Sequence, residues 1–97
     1  MALRYKITPQ AAQDLRDALD YYKALDRELP NYFMREYLAT RKLICEFPNS
    51  YPVIVKSRRR AKFIGKFPYS IFYLTQKDTV IIVAILHHKR HPKNWKR

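Results

Sequence analysis

The chain predicts an α+β domain, a helical hairpin packed on one face of a mainly antiparallel sheet in the order β-α-α-β-β-β. Three observations lead there. A short alternating segment opens the sequence, apolar residues then recur at helical spacing as far as Phe47, and strand-like patterns fill the remainder. The change from helical to extended pattern falls once, at Pro48-Asn49-Ser50.

Leu3, Tyr5 and Ile7 alternate with Arg4 and Lys6, as a half-exposed strand does. Thr8-Pro9 then reads as a helix start, with threonine as N-cap and proline at the first helical position, where its missing N–H costs nothing. Ala12, Leu15, Leu19, Tyr22 and Leu25 form the apolar stripe of that helix, and the early acids Asp14 and Asp17 suit its positive end. A break at Asp26 to Leu29 precedes Pro30, a second helix-starting proline. Phe33, Tyr37, Ile44 and Phe47 form the next stripe, with Met34, Leu38 and Cys45 beside it. So short a link makes an antiparallel hairpin.

Tyr51 to Val55 reads as a short strand, Lys56 to Arg60 as a polar run, and Ala61 to Phe67 as a resumed alternation. Tyr69 to Thr75 is strongly β in composition, and Gln76 to Thr79 turns the chain into Val80 to His88. That last segment is apolar on both faces and is expected to be central. Pro68 cannot donate to a ladder and marks a bulge or a strand boundary.

Ninety-seven residues make a single domain, 1–97, and 47% apolar with 14% aromatic content is enough for one core. The single glycine excludes glycine-rich nucleotide loops. The net charge of +12 points to a polyanionic or acidic partner. Its distribution says more: seven of the eight acids precede Phe47, whereas residues 47–97 hold twelve Lys/Arg against Asp78 alone. The longest apolar run is far short of the roughly 20 residues of a membrane span. The one cysteine, Cys45, excludes an internal disulfide and suits a cytoplasmic protein, and its apolar neighbours suggest a buried thiol.

Two basic clusters are the candidate surface. Arg58, Arg59, Arg60, Lys62 and Lys66 form the first. The second is His87-His88-Lys89-Arg90-His91-Pro92-Lys93-Asn94-Trp95, where cations suit phosphates and the indole offers a stacking plane. The topology can bring the two together. His87 and His88 leave a strand from opposite faces, so only one of them can enter a shared site. Zinc is a poor reading of His87 and His91, which lack a nearby Cys, Asp or Glu. Metal-free RNA cleavage, with histidine as acid or base and Arg90 as phosphate clamp, is chemically conceivable. Phe67, Tyr69, Phe72 and Tyr73 belong to the core rather than to a stacking platform. No nucleophile elbow, phosphate loop or paired carboxylates occur, and no cofactor or metal is expected.

Several of these segments, in this order, resemble the RelE/ParE superfamily of toxins from type II toxin–antitoxin systems. They are the early strand with Thr8-Pro9-Gln10-Ala11-Ala12-Gln13-Asp14-Leu15, then Phe47-Pro48, then Phe67-Pro68-Tyr69-Ser70-Ile71-Phe72-Tyr73, and the His87-x-x-Arg90-x-Pro92 ending with Trp95 beyond. The resemblance covers nearly the whole chain. It implies a growth-inhibiting toxin silenced by a cognate antitoxin, with DNA gyrase as target in the ParE-like branch and ribosome-bound mRNA, cut without metal, in the RelE-like branch. Ser70 stands where ribonuclease members commonly carry arginine, and Trp95, which cannot exchange a proton, where they often use tyrosine. Those departures favour the ParE-like branch. The resemblance makes His87 and Arg90 the candidate active residues. Arg58, Arg59, Arg60, Lys62, Lys89, Arg90, Lys93 and Trp95 are the candidate contacts to target or nucleic acid. A plain nucleic-acid-binding module is the remaining reading, though no helix-turn-helix or RNA-binding motif supports it.

Overall fold

The computed structural model describes residues 2–89. Seven elements follow one another: β1 (Arg4–Ile7), α1 (Pro9–Leu25), α2 (Leu29–Glu46), β2 (Val53–Val55), β3 (Arg58–Lys62), β4 (Tyr69–Gln76) and β5 (Thr79–His87). The strands form one sheet in the order β1-β5-β4-β3-β2. β1 runs parallel to β5, and every other neighbouring pair is antiparallel. The α+β architecture is the expected one, with one strand more than the order β-α-α-β-β-β allows.

The extra strand comes from the segment read as a polar run. Lys56, at φ 53°, turns the chain between β2 and β3, where Arg58 pairs with Val55, and Arg59 to Lys62 then pair with β4 despite their charge. The strand tolerates arginine because the ladder uses only backbone groups, leaving the side chains free to project from the two faces. Conversely, Ala61 to Phe67 is a strand only as far as Lys62. Beyond it, α2 captures the backbone: Ile64 N–H donates to Thr40 Oγ1 at 2.9 Å, Lys66 N–H to one Glu36 carboxylate oxygen at 2.8 Å and Phe67 N–H to the other at 3.0 Å. With its amides committed to a helix, the segment cannot continue in the sheet.

The helix signals hold. Thr8 Oγ1 accepts Ala11 N–H at 3.1 Å ahead of Pro9, and Asp26 Oδ1 accepts Glu28 N–H at 2.8 Å in the three-residue link to α2. The early acids do other work than supporting the helix dipole, since the first turn of α1 contains none. Asp14 instead accepts Ile85 N–H at 3.0 Å. β1 accompanies β5 only from Thr79 to Ile82, so the carboxylate supplies an acceptor where the neighbouring strand has ended.

Both helices contribute to one core on one face of the sheet. Ala11, Ala18, Phe33, Tyr37 and Ile44 meet Ala61, Ile71, Tyr73, Val80, Ile82 and Ile85 there. Phe33 is fully buried, with the rings of Tyr69, Phe63, Phe67 and Tyr22 5.0–5.6 Å from its own. A fully buried side chain of this kind contributes about 1.5–3 kcal/mol. The expected stripe of α1 packs on this core through Leu15, Leu19 and Tyr22, with Ala11 and Ala18 buried beside it, whereas Leu25 is 62% exposed. Phe47 and Leu38 are likewise exposed, and the polar Thr40 takes a core position by donating to Glu36 C=O at 2.7 Å. Cys45 is buried, and that burial pushes its thiol up from the usual range.

Phe72, Val83, Ala84 and Leu86 form a second buried cluster, joined by Leu74 and Ile81, on the sheet face turned away from the helices. The pairing of β4 with β5 shifts register between Phe72 and Tyr73, leaving Val83 as an extra residue. Pro68 falls at the strand boundary, with its carbonyl accepting His88 N–H at 2.8 Å.

Candidate functional site: a basic helix-free face

Strand alternation distributes the cations. Arg60 pairs with Phe72 and Lys62 with Ser70, so both project from the helix-free face, and Arg58 shares that face two residues earlier. On the opposite side of the sheet, Arg4 and Lys6 pair with Thr79 and Ile81 and point the same way. The face therefore carries an apolar centre of Phe72, Leu74, Ile81, Ala84 and Leu86 between two basic margins. The Arg58 Nε–H is buried without an acceptor among the described residues.

Arg59 does not join them. Its guanidinium turns to the other side and donates to Tyr51 C=O at 2.6 Å and to Asn49 C=O at 3.4 Å, fastening the chain that leads into β2. Its role is to hold a loop.

The end of β5 splits as alternation requires. His88 lies on the helix-free face, with Nε2 3.0 Å from Ser70 Oγ, and Ser70 is almost wholly buried. His87 lies on the helix side, edge-on to the Tyr69 ring at 5.3 Å, and its Nδ1 accepts Lys89 N–H at 3.0 Å. That bond leaves the proton of the neutral imidazole on Nε2. His87 and Lys89 line a cleft of about 380 Å³ with Asp14, Asp17, Tyr21 and Tyr22 of α1.

The two expected clusters thus do not make one patch within the described residues. Arg58, Arg60 and Lys62 share a face with His88, whereas His87 and Lys89 stand on the other side. Arg90, Lys93 and Trp95, with the His87-x-x-Arg90 pairing, lie outside the described residues. Sequence reasoning missed Ser70–His88, Arg4 and Lys6 as members of the basic face. Strand parity relative to Phe72 was the signal that could have found them.

Comparison with known proteins supplies the family. The model for "ParE toxin of type II toxin-antitoxin system, parDE" matches residues 5–92. No curated protein matches significantly. Among solved structures, a chain of the chromosomal ParDE toxin–antitoxin system from P. aeruginosa shares the fold with a TM-score of 0.77. It is 21% identical, and the match covers 89% of this chain and 96% of that one.

Proposed function

The chain belongs to the ParE toxin family of type II toxin–antitoxin systems, and from that membership we propose that it stops growth by poisoning DNA gyrase in the cytoplasm until a cognate antitoxin covers it. The observation that carries the reading is the family match, which takes in β1 from Tyr5 onward, the β4 segment around Ser70 and the His87-x-x-Arg90-x-Pro92 ending.

The chemistry on β4 supports a binding role over RNA cleavage. A ribonuclease needs a general base, a general acid and a cation at the scissile phosphate. At the middle of the third-strand motif this chain has Ser70, buried and engaged with His88, where ribonuclease relatives commonly place arginine. His87 and His88 stand on opposite faces, too divided to work as one acid–base pair. No helix of the described residues is long and apolar enough to cross a membrane.

Arg58, Arg60 and Lys62 are the proposed contacts to the target, extended by Arg90, Lys93 and Trp95. Arg90 supplies a planar fork for a carboxylate or phosphate that lysine does not reproduce, and His87 positions the strand end from which it follows. The test is induced expression of the toxin, followed by parallel readouts of chromosome integrity and of mRNA in a translating extract. Chromosome breaks with intact mRNA are expected. Cuts at codon positions in mRNA, with gyrase activity undisturbed, would replace this reading with the ribonuclease one.

A further inference from the structure

We propose that the outer edge of β2 is a docking site for an extended, apolar partner segment flanked by acidic residues, which adds a sixth strand to the sheet. This rests on the antitoxin reading for its biological partner, though not for its chemistry.

β2 is a terminal strand of the sheet, paired only with β3. A terminal strand leaves one row of N–H and C=O groups without strand partners, a template for another chain. Natural edges are blunted by shortness, lysine, proline or a bulge, and β2 has Pro52 and Lys56 at its ends and a register shift between Val53 and Val55, yet its three strand positions read Val53-Ile54-Val55. All three are β-branched, and all three are exposed, at 50%, 36% and 40%. Apolar side chains on both faces of an exposed edge gain burial from a strand whichever face its own apolar residues take. The edge is also held ready: Arg60 N–H donates to Pro52 C=O at 3.1 Å, and Arg59 clamps Tyr51 C=O. Little ordering is left to pay for on docking.

Charge selects the occupant. Between Glu46 and Asp78 the chain has no acid, and Lys56, Arg58, Arg60 and Lys62 stand beside or directly after β2. A second copy of this chain, pairing edge to edge, would bring those cations against their own counterparts. A segment carrying glutamate or aspartate at its ends meets opposite charge instead. The mode is strand addition, in which backbone bonds give affinity and flanking charges give register.

The probe is a synthetic nine-residue peptide of alternating valine and threonine with two glutamates at each end, compared with the same peptide flanked by lysines. Binding to the full chain is read by fluorescence anisotropy, and amide hydrogen exchange is followed at residues 53–55. The glutamate peptide is expected to bind and to slow exchange at those amides. The lysine peptide should bind at least about tenfold more weakly. The triple variant V53S/I54S/V55S alters side chains outside the core cluster and should lose the peptide while remaining folded, with a modestly lower melting temperature. Equal binding of the two peptides, protection elsewhere with none at residues 53–55, or undiminished binding by the folded triple variant would each overturn the proposal. So would a concentration-dependent dimer of the chain alone that the triple variant abolishes, since the edge would then serve a second copy. Because no antitoxin is used, these failures concern the edge and leave the family reading untouched.

Discussion

Ser70 Oγ and His88 Nε2 lie 3.0 Å apart on the helix-free face, joining the start of β4 to the chain just past β5. The relationship turns a position suited to a phosphate-binding cation into a buried polar tie. Ser70→Ala removes one partner, and a lost hydrogen bond of this kind costs about 1 kcal/mol. Toxicity should survive, because the tie belongs to the sheet. Melting curves and growth after induction check both halves. A folded but harmless S70A would instead put this pair at the reacting centre.

Glu36 of α2 lies against the loop at Gly65, where it accepts the next two amides. Gly65 sits at φ 132°, and a Cβ built there would fall directly on the Glu36 carboxylate. Gly65→Ala therefore meets both backbone strain and a clash, with an expected cost of about 2 kcal/mol or more. Glu36→Ala leaves Lys66 and Phe67 N–H without their acceptor and should cost about 2 kcal/mol. Glu36→Gln keeps one acceptor oxygen and should recover part of that loss. Urea unfolding of the three variants ranks them.

Asp14 stands in for a missing strand at Ile85 N–H. Asp14→Ala should speed hydrogen exchange at the Ile85 amide selectively and lower stability by about 1–3 kcal/mol. Unchanged protection at Ile85 would show that another group caps this edge.

Tyr73 is fully buried and donates to Pro48 C=O at 2.7 Å, and burial pushes its phenol up to about 12 against the opposing effect of Arg59. The phenol is neutral in both states below pH 10. Above that, the unfolded chain loses the proton first, so stability falls as pH rises from about 10 to 12. Tyr73→Phe should lose about 1 kcal/mol at neutral pH and show a shallower decline across that alkaline window. Denaturant midpoints at pH 8, 10 and 11 compare the two proteins.

How far the fold was legible depends on which groups make each decision. Thr8-Pro9, Pro30 and Pro68 announce boundaries because their effects are local, and the structure places all three at element ends. Arg58-Arg59-Arg60 conceal a strand because ladder pairing uses backbone groups and is indifferent to side-chain charge. Thr40 and Glu36 read as ordinary polar helix positions, and their work depends on a loop roughly 30 residues downstream, which no local pattern reveals. The candidate site was half legible. Composition located the cations, but parity alone sorts Arg58 and Arg60 from Arg59, and His88 from His87.

The proposed target surface predicts a graded response to charge. Arg58→Ala, Arg60→Ala and Lys62→Ala should each weaken toxicity and lower the salt dependence of target binding, as loss of one steering cation does. Arg59→Ala should act through stability, because its partners are backbone carbonyls. Arg90→Lys should lose most toxicity in a folded protein. Soluble yield and melting temperature, measured beside growth, separate the two kinds of effect.

The most direct test of gyrase poisoning uses purified components. The toxin is titrated into DNA gyrase with relaxed plasmid and ATP, and supercoiled and cleaved products are resolved on a gel. Gyrase poisoning predicts dose-dependent loss of supercoiling with cleaved DNA accumulating, both weakened by Arg60→Ala. Full supercoiling at toxin excess, by protein that still arrests growth when induced, would contradict it.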